Sequence, residues 1–127
     1  STDLSKYKGK LIMWHGMADP IFSANDTMRY FKLLTAAQGE QKTQDMARLY
    51  LMPGVNHCRG GEGLDKFELF QPLVDWVEKG VAPGAVVLEN RKGGPFPGMS
   101  RPACAYPKQA HYLGTGDSNN ANHFICK

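Results

Sequence analysis

"KLIMWHGMADPIFSANDTMRYFKLLTAAQG", residues Lys10 to Gly39, is the stretch whose reading decides the fold. It opens with "KLIMWHG", a short apolar run closed by a histidine and a glycine. Such a run suits a strand buried on both faces, because the strands of a parallel sheet are covered by helices on either side. A turn-like "MADPIF" follows, and then a helical stretch. Ser23 and Asp26 have the spacing of a capping box, with Asp in place of the usual Glu. Met28, Phe31 and Leu34 fall three apart, with Tyr30 and Leu33 beside them, so one helical face is apolar; Gly39 is a fitting stop.

Further along, "DMARLYLMPG" reads as a second strand ended by Pro-Gly. The glycine-rich "VNHCRGGEG" that comes next reads as a flexible loop. "LDKFELFQPLVDWVEKG" then puts Phe67, Phe70, Leu73, Val74 and Val77 on one helical stripe, with Pro72 expected to kink it and Gly80 and Pro83 to end it. Beyond Asn90 the composition turns to Gly, Pro and polar residues. Residues 1–90 are therefore expected to form an α/β core, and residues 91–127 an irregular tail of the same domain. The order strand, turn, helix, strand, loop, helix, tail is a βαβα unit with parallel strands, which places the chain in the α/β class. Two parallel strands make a poor sheet alone, so the chain reads as a piece of something larger.

Composition narrows the function. At 127 residues the chain is about one domain long. Its net charge is only +3 and its lysines and arginines are scattered among acids, so no nucleic-acid partner is expected. Apolar runs of a few residues give no membrane span, and the polar "STDLSKYKGK" at the start has no signal-peptide core. There are three cysteines and no C-x-x-C pair, which argues against a zinc ribbon or a thioredoxin-like site. Cys104 and Cys126 bracket a tail with little apolar material. A disulfide between them would stabilise it by roughly 3 kcal/mol and points to an oxidising compartment. Cys58 is left without a partner in this chain.

In a parallel α/β sheet, chemistry gathers at the carboxyl ends of the strands. Asp19 lies a few residues past the first strand and His57 a few past the second. A carboxylate that accepts a hydrogen bond from an imidazole holds its tautomer and stabilises the imidazolium formed in catalysis. The order Asp then His is the one that α/β-hydrolases use after an earlier nucleophilic serine. Taken singly, Asp19 reads as a turn-organising acid and His57 as a loop histidine; their joint placement makes them the candidate acid and base. His15 reads as a packed, hydrogen-bonded histidine, and His111 and His123 have no metal-site spacing, so no metal is expected. None of the serines, Ser1, Ser5, Ser23, Ser100 and Ser118, sits in G-x-S-x-G. Cys58 adjoins His57 and is poorly placed to be its nucleophile. An acid–base pair without a nucleophile implies a truncated enzyme.

"LIMWHGMADPIFSANDTMRYF", "LYLMPGVNHCRGGEG", "FELFQPLVDWVEKGVAPGAVV" and "RPACAYPKQAHYLGTGDSNNANHFIC" together resemble the tannase and feruloyl esterase family of α/β-hydrolases. The resemblance covers nearly the whole chain. The NHC-x-G-G stretch and the cysteine-bracketed tail are its specific parts; H-G-x-x-D is common among α/β-hydrolases. It implies a partial α/β-hydrolase fold, the portion after an inserted lid, in which Asp19 and His57 belong to a Ser-His-Asp triad. It also implies that Cys58 forms a disulfide with a cysteine beside the nucleophilic serine, upstream of this chain. The implied substrates are esters of hydroxylated aromatic acids, and the implied partner is the remainder of the hydrolase domain. The family's calcium would lie in the lid, so no cofactor is expected in this segment. The segment alone is expected to be inactive, and the protein to be secreted or periplasmic. Two alternatives stand beside this reading. A prolyl-peptidase-like hydrolase shares the Asp–His order but gives no reason for the His–Cys pair. A non-catalytic assembly module would dimerise through the open edges of a two-stranded sheet.

Overall fold

The structure, a computed structural model, describes residues 8–127. The opening seven residues, with Ser1, Ser5 and most of the polar stretch read for an export signal, lie outside them.

Strand β1 (Leu11–Gly16) pairs in parallel with β2 (Ala47–Met52), from Leu11 opposite Ala47 to Gly16 opposite Met52. Helix α1 (Ala24–Gln38) crosses over between them. Alternation along the two strands divides the core. Leu11, Met13, Ala47, Leu49 and Leu51 meet Phe31 and Leu34 of α1 on one face of the sheet. Ile12, Trp14, Tyr50 and Met52 turn to the other face and pack with Val55, Leu64, Val86, Leu88 and Ala103. Period-2 side-chain alternation makes this division unavoidable once both faces are covered. Each fully buried Leu, Met or Phe contributes roughly 1.5–3 kcal/mol, so these two clusters dominate the stability of the chain. The expectation of a strand buried on both faces holds best for β2, where Leu49, Tyr50 and Met52 have no exposed surface. β1 is only partly covered, and among the described residues no strand pairs with its outer edge.

Ser23 caps α1 as expected, but not through a capping box. Its hydroxyl accepts from the Asn25 N–H at 3.2 Å, while the Asp26 N–H bonds to the Ser23 carbonyl. Phe31 and Leu34 are buried and Met28 packs against them, whereas Leu33 is half exposed.

Three expectations are corrected. First, Asp45 and Met46 do not open the second strand; they end a helix, α2 (Glu40–Met46), entered through Gly39 at a φ of 89°. Its sequence, "EQKTQDM", has no apolar period, and it is held by burial of Thr43 and Met46, with the Thr43 hydroxyl donating to the Gly39 carbonyl at 2.9 Å.

Second, the later helix, α3 (Phe70–Lys79), is shorter than its apolar residues imply. Phe67 stays outside it, next to Lys66, which bridges to Glu89. Phe70 and Val77 are exposed, and the buried side chain of the helix is Trp76. Pro72 is in the first turn, where its missing N–H has no intrahelical partner to lose, so the expected kink has no cause. Glu68 Oε1 accepts the N–H groups of Phe70 and Gln71 in place of a serine cap.

Third, the tail is not irregular. β3 (Val86–Glu89) pairs antiparallel with β4 (Ser100–Ala103), and β5 (Ala110–Tyr112) with β6 (Phe124–Cys126). Ala105 bridges to Tyr50, and the Tyr106 N–H donates to the Leu49 carbonyl at 2.8 Å, so the tail covers the outer edge of β2. Cys104 and Cys126 form a disulfide, which closes a loop long enough to contribute roughly 3 kcal/mol. Among the described residues no helix is long and apolar enough to cross a membrane.

Candidate active site

The turn after β1 and the loop after β2 meet at the carboxyl ends of the paired strands. The Met17 N–H donates to the Met52 carbonyl at 2.9 Å and the Ala18 N–H to the Val55 carbonyl at 3.0 Å, lacing the turn to the start of the loop. Gly16 permits this approach. A Cβ at Gly16 would stand 2.4 Å from the Val55 carbonyl oxygen and 2.5 Å from that of Asn56.

His57 Nδ1 is 2.8 Å from Asp19 Oδ2. Asp19 Oδ1 accepts the N–H groups of Ile21 at 2.8 Å and Phe22 at 3.0 Å. The Asp19 side chain is 5% exposed and that of His57 41%, so a sheltered acid faces a base that remains open to a reactant. A carboxylate can only accept here, so Nδ1 of His57 carries the hydrogen, and in the neutral ring Nε2 is the free base. Phe22 flanks the imidazole at 5.5 Å between ring centroids. A cleft of about 390 Å³ lined by His15, Asp19, Phe22, Thr27, His57 and Cys58 opens beside the pair.

Burial pushes the Asp19 carboxyl up, but the hydrogen bonds from His57, Phe22 and Ile21 and the charge of His57 outweigh it. They lower its pKa from 3.8 to about 2. A folded-state value below the unfolded one means that ionised Asp19 stabilises the fold above about pH 4, and that this contribution fades as pH falls through about 2. Thermal melts between pH 2 and 5 are expected to show an acid-side loss of stability that is weaker in Asp19→Asn; identical pH dependence in both proteins would count against this ionisation.

The loop that carries His57 is pinned, which corrects its reading as a flexible segment. Val55 bridges to Gly61, and the Asn56 N–H donates to the Gly60 carbonyl at 3.1 Å. Gly61, at a φ of 85°, lies so close to the Gly54 carbonyl that a Cβ would stand 2.4 Å from it. Cys58 is at the apex, with a φ of 67° and the Arg59 N–H donating to the His57 carbonyl across it. This i to i+2 turn is tight and strained for a non-glycine residue. Cys58 is exposed and its thiol is free in this chain.

Two supports escaped the sequence reading. Asp65, with a side chain 3% exposed, accepts the Gly60 N–H at 2.6 Å and an Arg91 Nη1–H at 2.9 Å, tying the His57 loop to the β3–β4 connection. Burial raises its pKa, but these two partners win and hold it below the usual carboxylate range. No local pattern marks a pair this far apart. The second is His15, which does hydrogen-bond as expected but also approaches Asp19, at 3.3 Å.

Of the other candidate groups, Ser23 lines the same cleft, and Ser100 and His123 lie in the tail. Ser23 caps α1, and the Ser100 hydroxyl accepts the Ala121 N–H. The ring of His123 bonds to the Asp117 carbonyl oxygen. Among the described residues no serine hydroxyl is hydrogen-bonded to His57.

Comparison with known proteins places this geometry in context. The family described as "Tannase and feruloyl esterase" matches residues 1–127. Among curated relatives, a mono(2-hydroxyethyl) terephthalate hydrolase of Piscinibacter sakaiensis is 44% identical, over 99% of this chain and 21% of that protein. A probable feruloyl esterase of Arthroderma benhamiae is 34% identical, over 97% of this chain and 24% of that protein. The crystal structure of feruloyl esterase B from Aspergillus oryzae superimposes with a TM-score of 0.88 at 27% identity, covering 100% of this chain and 29% of that one. A tannin acyl hydrolase from Aspergillus niger has the same fold, with a TM-score of 0.72 at 22% identity over 97% of this chain and 23% of that one. The chain thus spans between 21% and 29% of the length of these proteins.

Proposed function

Since the chain belongs to the tannase and feruloyl esterase family, we propose that it supplies the acid and the base of a Ser-His-Asp triad in a larger carboxylic-ester hydrolase. The observation that carries this reading is the 2.8 Å hydrogen bond between His57 Nδ1 and Asp19 Oδ2 at the tips of adjacent parallel strands. A serine from outside these 127 residues completes the set. His57 Nε2 takes the serine proton as Oγ attacks the ester carbonyl. The imidazolium, held by Asp19, then protonates the departing alcohol as the tetrahedral adduct collapses to an acyl-serine. Water enters, gives a proton to Nε2 and hydrolyses the acyl-serine, which releases the acid and restores the serine hydroxyl.

The substrates are esters of aromatic acids. Supporting this are the terephthalate and ferulate esters named for the relatives, the exposed Phe22 beside the His57 ring, and the exposed apolar Met17 and Ile21 around Asp19. Cys58 pairs with a cysteine next to the nucleophile, which ties the turn that holds the base to the one that holds the serine. Misplacing such groups by about 1 Å costs roughly 100-fold in rate. The Cys104–Cys126 disulfide supports a secreted or periplasmic location. Among the described residues no group of three or more His, Cys, Asp or Glu side chains is placed to hold a metal ion.

The natural protein that carries this chain is expected to hydrolyse a chromogenic nitrophenyl ester of an aromatic acid, and purified residues 1–127 to leave it intact. Digestion of that protein without reduction is expected to give a Cys58 peptide joined to a cysteine from outside 1–127. Turnover by residues 1–127 that is lost in His57→Ala would overturn the missing-nucleophile reading, and a natural protein inert to aromatic esters the substrate class.

A further inference from the structure

Two imidazole nitrogens stand within 3.3 Å of Asp19 Oδ2, and the triad reading uses only one. His15 Nε2 lies 3.3 Å from Asp19 Oδ2, the same oxygen that takes the His57 hydrogen bond, and 3.1 Å from the Phe22 carbonyl oxygen. Its Nδ1 lies 2.8 Å from Thr27 Oγ1. Both neighbours of Nε2 are acceptors, so Nε2 carries a hydrogen; in the neutral ring Nδ1 then accepts from the Thr27 hydroxyl. One side chain, 14% exposed, therefore joins three elements: β1, on which it sits, the turn that carries Asp19 and Phe22, and the first turns of α1.

We propose that His15 is a positioning residue for the hydrolytic reaction: by hydrogen-bonding the Phe22 carbonyl and the Thr27 hydroxyl it locks the turn between β1 and α1 that holds the Asp19 carboxylate toward His57. This rests on the triad reading above. The Ile21 and Phe22 N–H groups of that turn hold Oδ1, and the His15 bond to the Phe22 carbonyl holds the turn itself. Without His15 the Phe22 carbonyl loses this donor, and the turn whose N–H groups hold Asp19 loses this tie to β1. The Phe22 carbonyl makes Nε2 the donor, and the Thr27 hydroxyl complements it at Nδ1. Both ring nitrogens of His15 are engaged by groups of the protein, so the effect is expected on turnover rather than on binding.

The test is steady-state kinetics on the natural protein with a nitrophenyl ester of an aromatic acid, comparing His15→Ala, His15→Gln, Thr27→Val and His57→Ala. His15→Ala is expected to lower kcat about 10- to 100-fold, the scale of a misplaced catalytic group, with KM within about threefold. His15→Gln restores most of kcat, because its amide N–H reaches the place of Nε2, and Thr27→Val gives a smaller loss than His15→Ala. A kcat within twofold of the parent in His15→Ala, while His57→Ala is inactive, overturns this inference and leaves the triad reading intact. So does a loss that tracks a lowered melting temperature and is not recovered by His15→Gln. Full activity in His57→Ala would instead overturn the triad reading itself.

Discussion

Replacing His57 with alanine in the natural protein is expected to lower kcat by about 10⁶-fold, the scale on which removal of a triad base acts. Asp19→Asn is expected to cost about 10⁴-fold, since the ring then loses the acceptor that holds its hydrogen on Nδ1. The geometry sets the order of these losses. The His57 side chain is 41% exposed and that of Asp19 5%, so in the proposed triad the ring meets the reactants and the carboxylate acts through it. The two losses are not expected to add, because a base without its acid and an acid without its base are both idle. A double variant should be no slower than His57→Ala alone. KM should change little in either, since both effects arise in the transition state. Measured kcat values within tenfold of the parent for His57→Ala would remove the central claim about this site.

Trp76→Ala is expected to destabilise the chain by about 3–5 kcal/mol, the usual cost of emptying a buried aromatic site. Trp76 is 3% exposed and is the buried residue of α3. Lys10 Nζ lies 5.1 Å from its ring and Arg48 Cζ 4.8 Å, so the indole is held between two cations from the start of β1 and from β2. Contacts of this kind add about 0.5–2 kcal/mol depending on how far they are removed from water. Arg48 is itself anchored by the carbonyls of Gln44, Ala47 and Pro83, so the ring lies against a fixed partner. Trp76→Phe keeps a ring between the cations and should lose less than half as much. Denaturant unfolding of both variants is the check; a midpoint for Trp76→Ala unchanged from the parent would mean that α3 is held by something else.

The elements legible beforehand are those whose evidence is local. β1, β2 and α1 each announce themselves through an apolar run or a three-residue period, and Ser23 and Gly39 mark the ends of α1. The meeting of Asp19 and His57 was legible as well, because parallel strands present their following loops on one side whatever lies between. What was misread had no such evidence, or false evidence. α2 is polar throughout, and it is kept helical by two side chains buried against other elements. Phe67 and Phe70 have helical spacing, yet one lies in an extended segment and the other points to solvent. The strands of the tail are three or four residues long, too short for alternation to stand out.

Composition and periodicity alone determined a parallel α/β unit, the meeting of Asp19 and His57 past its strands, and the pair of cysteines that closes its tail. Each follows from residues close in sequence, or from the rule that such strands open at one end. Tertiary structure alone decided what surrounds Asp19 and His57: His15 within 3.3 Å of Asp19, Asp65 and Arg91 behind the His57 loop, and Gly16 against the Val55 carbonyl. The physical reason is that a hydrogen bond or a close backbone approach needs only proximity in space. Asp65 and Arg91 are 26 positions apart, and nothing in the chain between them repeats or alternates to say that they meet.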